Sequence, residues 1–226
     1  MARRSTISRD DVVDAALEII DADDGVGSLS LEAIAKRLGV RGPSLYHYFT
    51  DKNEILDAVA ARVIGNLDMR HGSDNWVEWL IERALQFQAR VMEHPGAATL
   101  LMEHLNPRAA EIGFARGARM LGEAGVPVEL HGLLLHGAQH LTWGASLYRA
   151  FSATHPPPVA LDADRYPELL AARAADPDDG LQSLERAVRG FITGVLIEHA
   201  MHGGSRSAAD AVADALAVIE PTKEAS

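Results

Sequence analysis

Residues 29–52 read Leu29-Ser-Leu-Glu-Ala-Ile-Ala-Lys-Arg-Leu-Gly-Val-Arg-Gly-Pro-Ser-Leu-Tyr-His-Tyr-Phe-Thr-Asp-Lys52, two short apolar-periodic runs separated by a glycine. Ser30 stands just before Leu31–Leu38, where a hydroxyl can cap the free amides of a helix. Gly39 follows the last apolar residue, and a residue without a Cβ ends a helix there at no steric cost and turns the chain sharply. Pro43 suits the first position of a further helix, since it has no N–H to leave unpaired and its φ is already helical. The spacing therefore predicts a helix over 31–38, a tight turn and a second helix over 44–49. Leu31, Ile34, Ala35 and Leu38 form the buried face of the first, and Val40, Leu45 and Phe49 that of the second. Arg41, Ser44, His47 and Tyr48 are left on the outward side. This is the geometry of a helix-turn-helix, whose second helix can enter a major groove, and the backbone amides near Gly42 and Ser44 suit a phosphate.

Outward from this pair, Val12, Ala16 and Ile20 recur at four-residue spacing and predict a helix over 9–22. Asp51 is placed to cap another, carrying Ile55, Leu56, Val59, Val63, Ile64 and Leu67 until Gly72. Further helices are expected over 73–94, 97–105, 107–124, 128–151, 181–202 and 207–219, with Pro95-Gly96, Pro107 and Gly125-Val-Pro127 as breaks. Pro156-Pro-Pro158 lies in a loop that cannot be helical. There is no internal repeat and no convincing period-two alternation. The expected fold is all-α, with a three-helix helix-turn-helix domain at 1–52 and a helical body at 53–226.

The 226 residues carry 21 Lys and Arg against 32 Asp and Glu, a net charge of −11. That is awkward for a nucleic-acid binder, because phosphate neutralisation by cations supplies most non-specific affinity. The distribution softens the objection. Residues 1–52 hold seven Lys and Arg against nine Asp and Glu, and the acids crowd into 10–24 while Lys36, Arg37, Arg41 and Lys52 lie later. Cysteine is absent, which excludes disulfides, thiolate metal sites and cysteine nucleophiles. No apolar run approaches the roughly 20 residues of a membrane span. The N-terminus leads into Asp10, Asp11 and Asp14 rather than an apolar stretch, so it does not read as a secretory signal, and a cytoplasmic protein with no membrane partner is expected.

The segment resembles the DNA-binding domain of the TetR family of repressors. The resemblance covers about residues 9–60 and rests on the leading Leu-Ser, then Ala-Ile-Ala-Lys-Arg-Leu-Gly-Val, Pro-Ser-Leu-Tyr-His-Tyr-Phe and Asp-Lys. A weaker one, to the C-terminal domain of tetracycline-repressor-like members, rests on Arg165-Tyr-Pro-Glu-Leu and Phe191-Ile-Thr-Gly-Val. The resemblance implies that Ser30 and Lys52 meet phosphate and that the Tyr46 hydroxyl bonds the DNA backbone. It places Arg41, Gly42, Pro43, Ser44, His47 and Tyr48 along base edges, with Arg41 the best candidate for a bidentate contact to guanine. Gly42 departs from the family habit of a reading side chain at that position.

A single recognition helix touches few base pairs, whereas two related by a dyad read half-sites about 34–36 Å apart, so a homodimer on a palindromic double-stranded operator is expected. The family resemblance implies a four-helix interface, for which 128–151 and 181–202 offer Leu133, Leu134, Leu141, Leu147, Val188, Ile192, Val195 and Leu196. Control by a small molecule requires a cavity in the body. Trp76, Trp79, Phe87, Met92, Met102, His104, Phe114, Met120, His140 and Trp143 are the bulky or polarisable candidates to line it, and they suit an aromatic or multi-ring effector. Each also fits an ordinary core. His136 and His140, with His131 before them, have a chelating spacing, yet satisfied histidines explain them as well, and no metal or cofactor is expected. The rival readings are a helical enzyme, for which there is no Gly-x-Ser-x-Gly, no phosphate-binding glycine loop and no His-Glu-x-x-His, and a helical adaptor that keeps the fold. The expectation is a ligand-responsive repressor, not an enzyme, released from DNA by its effector.

Overall fold

The computed structural model describes residues 7–22, 25–65, 67, 72–104, 107–155, 162, 164–175, 181–202, 210, 212, 213, 216 and 219. The regular elements among these described residues are α- and 3-10 helices, with no strand. They divide into two compact units.

The first unit draws on described residues within 1–67, 89–107 and 146–159. Helix α1 (Arg9–Ala22) buries Val12, Ala16 and Ile20 completely. Helix α2 (Leu31–Leu38) begins where the Ser30 hydroxyl accepts the Ala33 amide at 3.1 Å and ends at Gly39, whose φ of 66° is left-handed. Helix α3 (Lys52–Ile64) starts at the Asp51 carboxylate, which accepts the Glu54 amide at 2.9 Å, and buries Ile55, Val59 and Val63. It stops earlier than its apolar periodicity predicts, because Gly65 takes a φ of 60° and closes its amide onto the Ala61 carbonyl. Leu67 lies outside it. The boundary drawn from sequence at residue 52 falls on the first residue of α3, which packs with α1 inside this unit.

Helix α4 (Trp76–Glu93) begins three residues later than expected, since the Asn75 side chain accepts the Val77 and Glu78 amides at 2.8 and 3.2 Å. After a 3-10 turn at Pro95–Ala97, helix α5 (Ala98–His104) packs in the first unit against α3. Gly96 lets that turn approach α1: a Cβ there would stand 2.7 Å from the Ile20 carbonyl oxygen, which is backbone and cannot swing aside. The same junction carries a 2.7 Å bond from His94 Nδ1 to Asp21, and a second of 2.7 Å joins His104 Nδ1 to Asp57 on α3.

The second unit draws on described residues within 68–88, 108–145 and 160–226. Helices α6 (Pro107–Glu123), α7 (Val128–Thr154), α8 (Pro167–Ala175) and α9 (Leu181–His202) follow in order. Trp76, Trp79, Leu121, Leu134, Leu184, Val188 and Ile192 build its core. Glu78 and Arg189 tie α4 to α9 by a two-point ion pair of 2.9 and 3.3 Å. Helix α8, not anticipated from sequence, starts at Pro167, and its apolar residue Leu169 is exposed. Of the apolar residues expected at a subunit interface, Leu134, Val188, Ile192, Val195 and Leu196 are already buried within the chain, whereas Leu133 is half exposed. Pro156-Pro-Pro158 and most of 207–219 lie outside the described residues, though 210, 212, 213, 216 and 219 are helical as expected.

Candidate functional site

The expected recognition helix over 44–49 is instead a 3-10 segment, Gly42–His47. Its bonds are i→i+3, with the Ser44 amide on the Arg41 carbonyl and the Tyr48 amide on that of Leu45, both at 2.9 Å. Pro43 contributes no amide, and the six residues close only two turns, too few for an α-helix to propagate. Three residues per turn resort the side chains. Gly42, Leu45 and Tyr48 form the inner row, in which Leu45 is 1% exposed and Tyr48 half-buried. Arg41, Ser44 and His47 form one outer row, with Arg41 and His47 exposed and Ser44 half-buried. Pro43 and Tyr46 form another, and Tyr46 is 59% exposed. A period of 3.6 placed Tyr48 fully outward; the tighter turn brings Tyr46 out instead. Phe49 is buried as expected.

The lysines and arginines described within 7–64 fall into two sets. Arg9 bonds Glu54, Arg37 bonds Glu18 at 2.6 Å, and Arg62 pairs with Asp10 at 2.6 Å and with Asp14. Lys36, Arg41 and Lys52 make no hydrogen bond or ion pair with the described residues, and Lys36 and Arg41 are exposed. Among the described residues within 7–64, these three are the lysines and arginines without such a partner. Around the turn, the Glu54 carboxylate accepts the Thr50 amide at 2.7 Å, the Thr50 hydroxyl at 2.9 Å and Arg9 at 2.8 Å. The Thr50 amide first, then Arg9 and the hydroxyl, hold its pKa down at about 2. The Ser8 amide and hydroxyl likewise lower that of Asp11 at the start of α1.

The candidate effector residues divide between the two units. Met102, 65% exposed, and His104, bonded to Asp57, belong to the first unit. Trp76, Trp79, Phe87, Phe114, Met120, His140 and Trp143 belong to the second. There, Phe87 and Trp143 meet with ring centroids 4.8 Å apart, Phe114 lies 4.7 Å from His136, and Arg116 sits over Trp79 at 5.8 Å. His140 is exposed, its ring 6.5 Å from that of His136. His131 and His136 bond the carbonyls of Val126 and Gly132, and no group of three metal-ligating side chains occurs among the described residues. Sequence reasoning missed Gln88. It is 2% exposed, yet its Oε1 has no hydrogen-bond partner among the described residues, and the same holds for Trp76 Nε1, Trp79 Nε1 and Arg116 Nε. A glutamine inside an otherwise apolar helical pattern, Leu85-Gln-Phe-Gln88, was the available signal.

Helices α1 and α2 and a 3-10 segment that presents exposed side chains beside cations without partners among the described residues, in a chain whose other described elements are helical, have the form of a helix-turn-helix transcription regulator with a ligand-binding domain. Residues 12–59 match the family model for bacterial regulatory proteins of the tetR family. The chain is 28% identical over 199 residues to the tetracycline repressor protein class D of Escherichia coli, covering 82% of this chain and 89% of that one. The structure of TetR from Acinetobacter baumannii AYE superposes with a TM-score of 0.60 at 26% identity, over 80% of this chain and 96% of that one. A TetR variant from the same organism, in complex with minocycline, has a TM-score of 0.58 at 24% identity, over 82% and 93%, a likeness of fold. Residues 12–59 thus carry a DNA-binding domain of the tetR family, and over most of its length the chain is similar to tetracycline repressors. No helix among the described residues is long and apolar enough to cross a membrane.

Proposed function

We propose that this regulator binds a palindromic double-stranded operator as a homodimer, represses transcription there and is released by a small-molecule effector. The observation that carries the DNA-binding face is the pairing of an outward 3-10 segment with Lys36, Arg41 and Lys52, cations that have no ion-pair partner among the described residues. In this reading residues 1–52 are the DNA-binding domain and 53–226 sense and dimerise. Arg41, Gly42, Pro43, Ser44, His47 and Tyr48 lie along base edges, Tyr46 reaches the sugar-phosphate backbone, and Ser30 and Lys52 fix phosphates. Dimerisation uses the exposed apolar side chains that remain on α7 and α9, among them Leu133, Leu181 and Met201.

The effector reading rests on the second unit. Phe87 and Trp143 supply flat apolar surface, and Gln88, Trp79 and Arg116 supply buried polar atoms without partners among the described residues, the mixture that orients a ligand. Phe114, Met120, Trp76 and His140 complete the candidate set, while Met102 and His104 lie in the other unit. The minocycline bound by the fold neighbour supports an organic effector here. The body thus serves as a sensor and not as an active site. Helices α4 and α7 contribute residues to both units and are the continuous elements along which occupancy alters the DNA-binding unit. The test compares Arg41→Ala and Lys52→Ala with the unaltered chain on a selected operator. Losing Arg41 should relax preference at one base position by roughly 1–3 kcal/mol, and losing Lys52 should weaken all sequences alike and reduce the salt slope by about one. Unchanged binding by both variants overturns the assigned face.

A further inference from the structure

Arg9 stands at the N-terminus of α1, 39 residues before Tyr48 and 45 before Glu54, yet its guanidinium meets both. Nη1 donates to the Tyr48 carbonyl at 2.6 Å, Nη2 donates to Glu54 Oε1 at 2.8 Å, and Cζ lies 4.0 Å from the centre of the Phe49 ring. The other carboxylate oxygen of Glu54 holds the amide and hydroxyl of Thr50. One planar fork therefore joins the end of the 3-10 segment, the linking residues 49–51 and the first turn of α3. The segment needs such a tie. A six-residue 3-10 run has poor hydrogen-bond geometry and little cooperative strength of its own, so the direction of its outer rows is set from outside.

We infer that Arg9 is a positioning residue for sequence recognition, fixing the outer rows of the 42–47 segment relative to Lys52 without itself engaging DNA. This rests on the DNA-binding face proposed above. An exposed arginine near a DNA-binding turn has an obvious competing role as a phosphate contact, and the two roles make opposite forecasts. A phosphate contact needs only the charge, whereas the fork needs planar, two-point donation that an ammonium cannot reproduce.

The experiment uses the full chain carrying Arg9→Lys, with Arg9→Ala, Glu54→Ala and their double variant beside it. Each is confirmed folded by thermal melting, and each is titrated on the selected operator and on a random duplex at several salt concentrations. Positioning forecasts an operator affinity about tenfold weaker for Arg9→Lys, with random-duplex affinity and salt slope unchanged, and a double variant no worse than the single ones. Amide hydrogen exchange should also quicken at Tyr48–Thr50 in Arg9→Lys while α1 keeps its protection, a readout that needs no DNA. The inference is overturned if Arg9→Lys binds like the unaltered chain while Arg9→Ala loses random-duplex affinity and about one unit of salt slope, for that is a phosphate contact. It is equally overturned if exchange at Tyr48–Thr50 does not change. Arg41→Ala in the same titrations separates the two ideas: operator affinity insensitive to Arg41 refutes the assigned face, whereas sensitivity to Arg41 with indifference to Arg9→Lys refutes only the positioning role.

Discussion

The turn in the first unit and the core of the second treat polar groups in opposite ways. Around the turn, Ser30, Asp51, Thr50, Glu54 and Arg9 satisfy one another or a neighbouring amide, so the backbone geometry there is fully specified. In the body, Gln88, Trp79 and Arg116 keep buried polar atoms with no hydrogen-bond partner among the described residues. Leaving a buried polar atom unpaired is costly, and native proteins rarely tolerate it without a use for it. The first region is finished as it stands; the second keeps unpartnered buried polar atoms, which is what supports the effector site proposed there.

Substitutions can break either half of this contrast. The largest effect is expected from Leu45→Ala, which removes the one fully buried side chain of the recognition segment and should destabilise the first unit by about 2–5 kcal/mol in denaturant unfolding. A loss well under about 1 kcal/mol means that the segment is not anchored through its inner row. Gln88→Met should act in the opposite direction. Replacing an unpartnered buried amide by an apolar chain of similar shape should stabilise the ligand-free protein by roughly 1–3 kcal/mol while weakening effector binding. Destabilisation instead would show that Gln88 is satisfied in the folded state.

Smaller effects sharpen the first half. Asp51→Ala removes the cap of α3 and should cost about 1 kcal/mol, read from the melting midpoint. If the midpoint stays put, the cap is redundant. The Glu54 knot gives a pH signature. Its folded pKa of about 2 lies below the ordinary value of 4.5, so its contribution is complete above about pH 4.5 and is lost as pH falls towards 2. Between about pH 7 and 5 the difference in stability between the unaltered chain and Glu54→Gln should be flat, then shrink on further acidification. A difference that declines already within that upper range contradicts the assigned hydrogen bonds.

Most of the first unit was legible because its signals are local. Ser30, Gly39 and Asp51 act on backbone groups within four residues, so a cap or a left-handed stop reads directly from the chain. The recognition segment was legible as a location but not as a conformation, since apolar residues at 45 and 49 fit an α-turn and a 3-10 turn alike. That ambiguity hid that Tyr48 is half-buried while Tyr46 is exposed. Arg9 was invisible as a clasp because its partners lie 39 and 45 residues away. In the body, hydrophobic periodicity found α4, α6, α7 and α9 but could not say which aromatic residues meet. Nor could it say that Met102 and His104 fold in the first unit and Trp76 in the second. Helix α8 went unseen because its nine residues, mostly exposed, bury too little to leave a periodic stripe.

Selection of random duplex DNA by the purified chain, repeated at two salt concentrations, is the most direct test of whether this exposed turn reads sequence. Recovery of a palindrome with two half-sites, bound more weakly at the higher salt, is expected of a dimeric reader whose free cations meet phosphate. Recovery of no preferred sequence at either salt would contradict that role for the 42–47 segment.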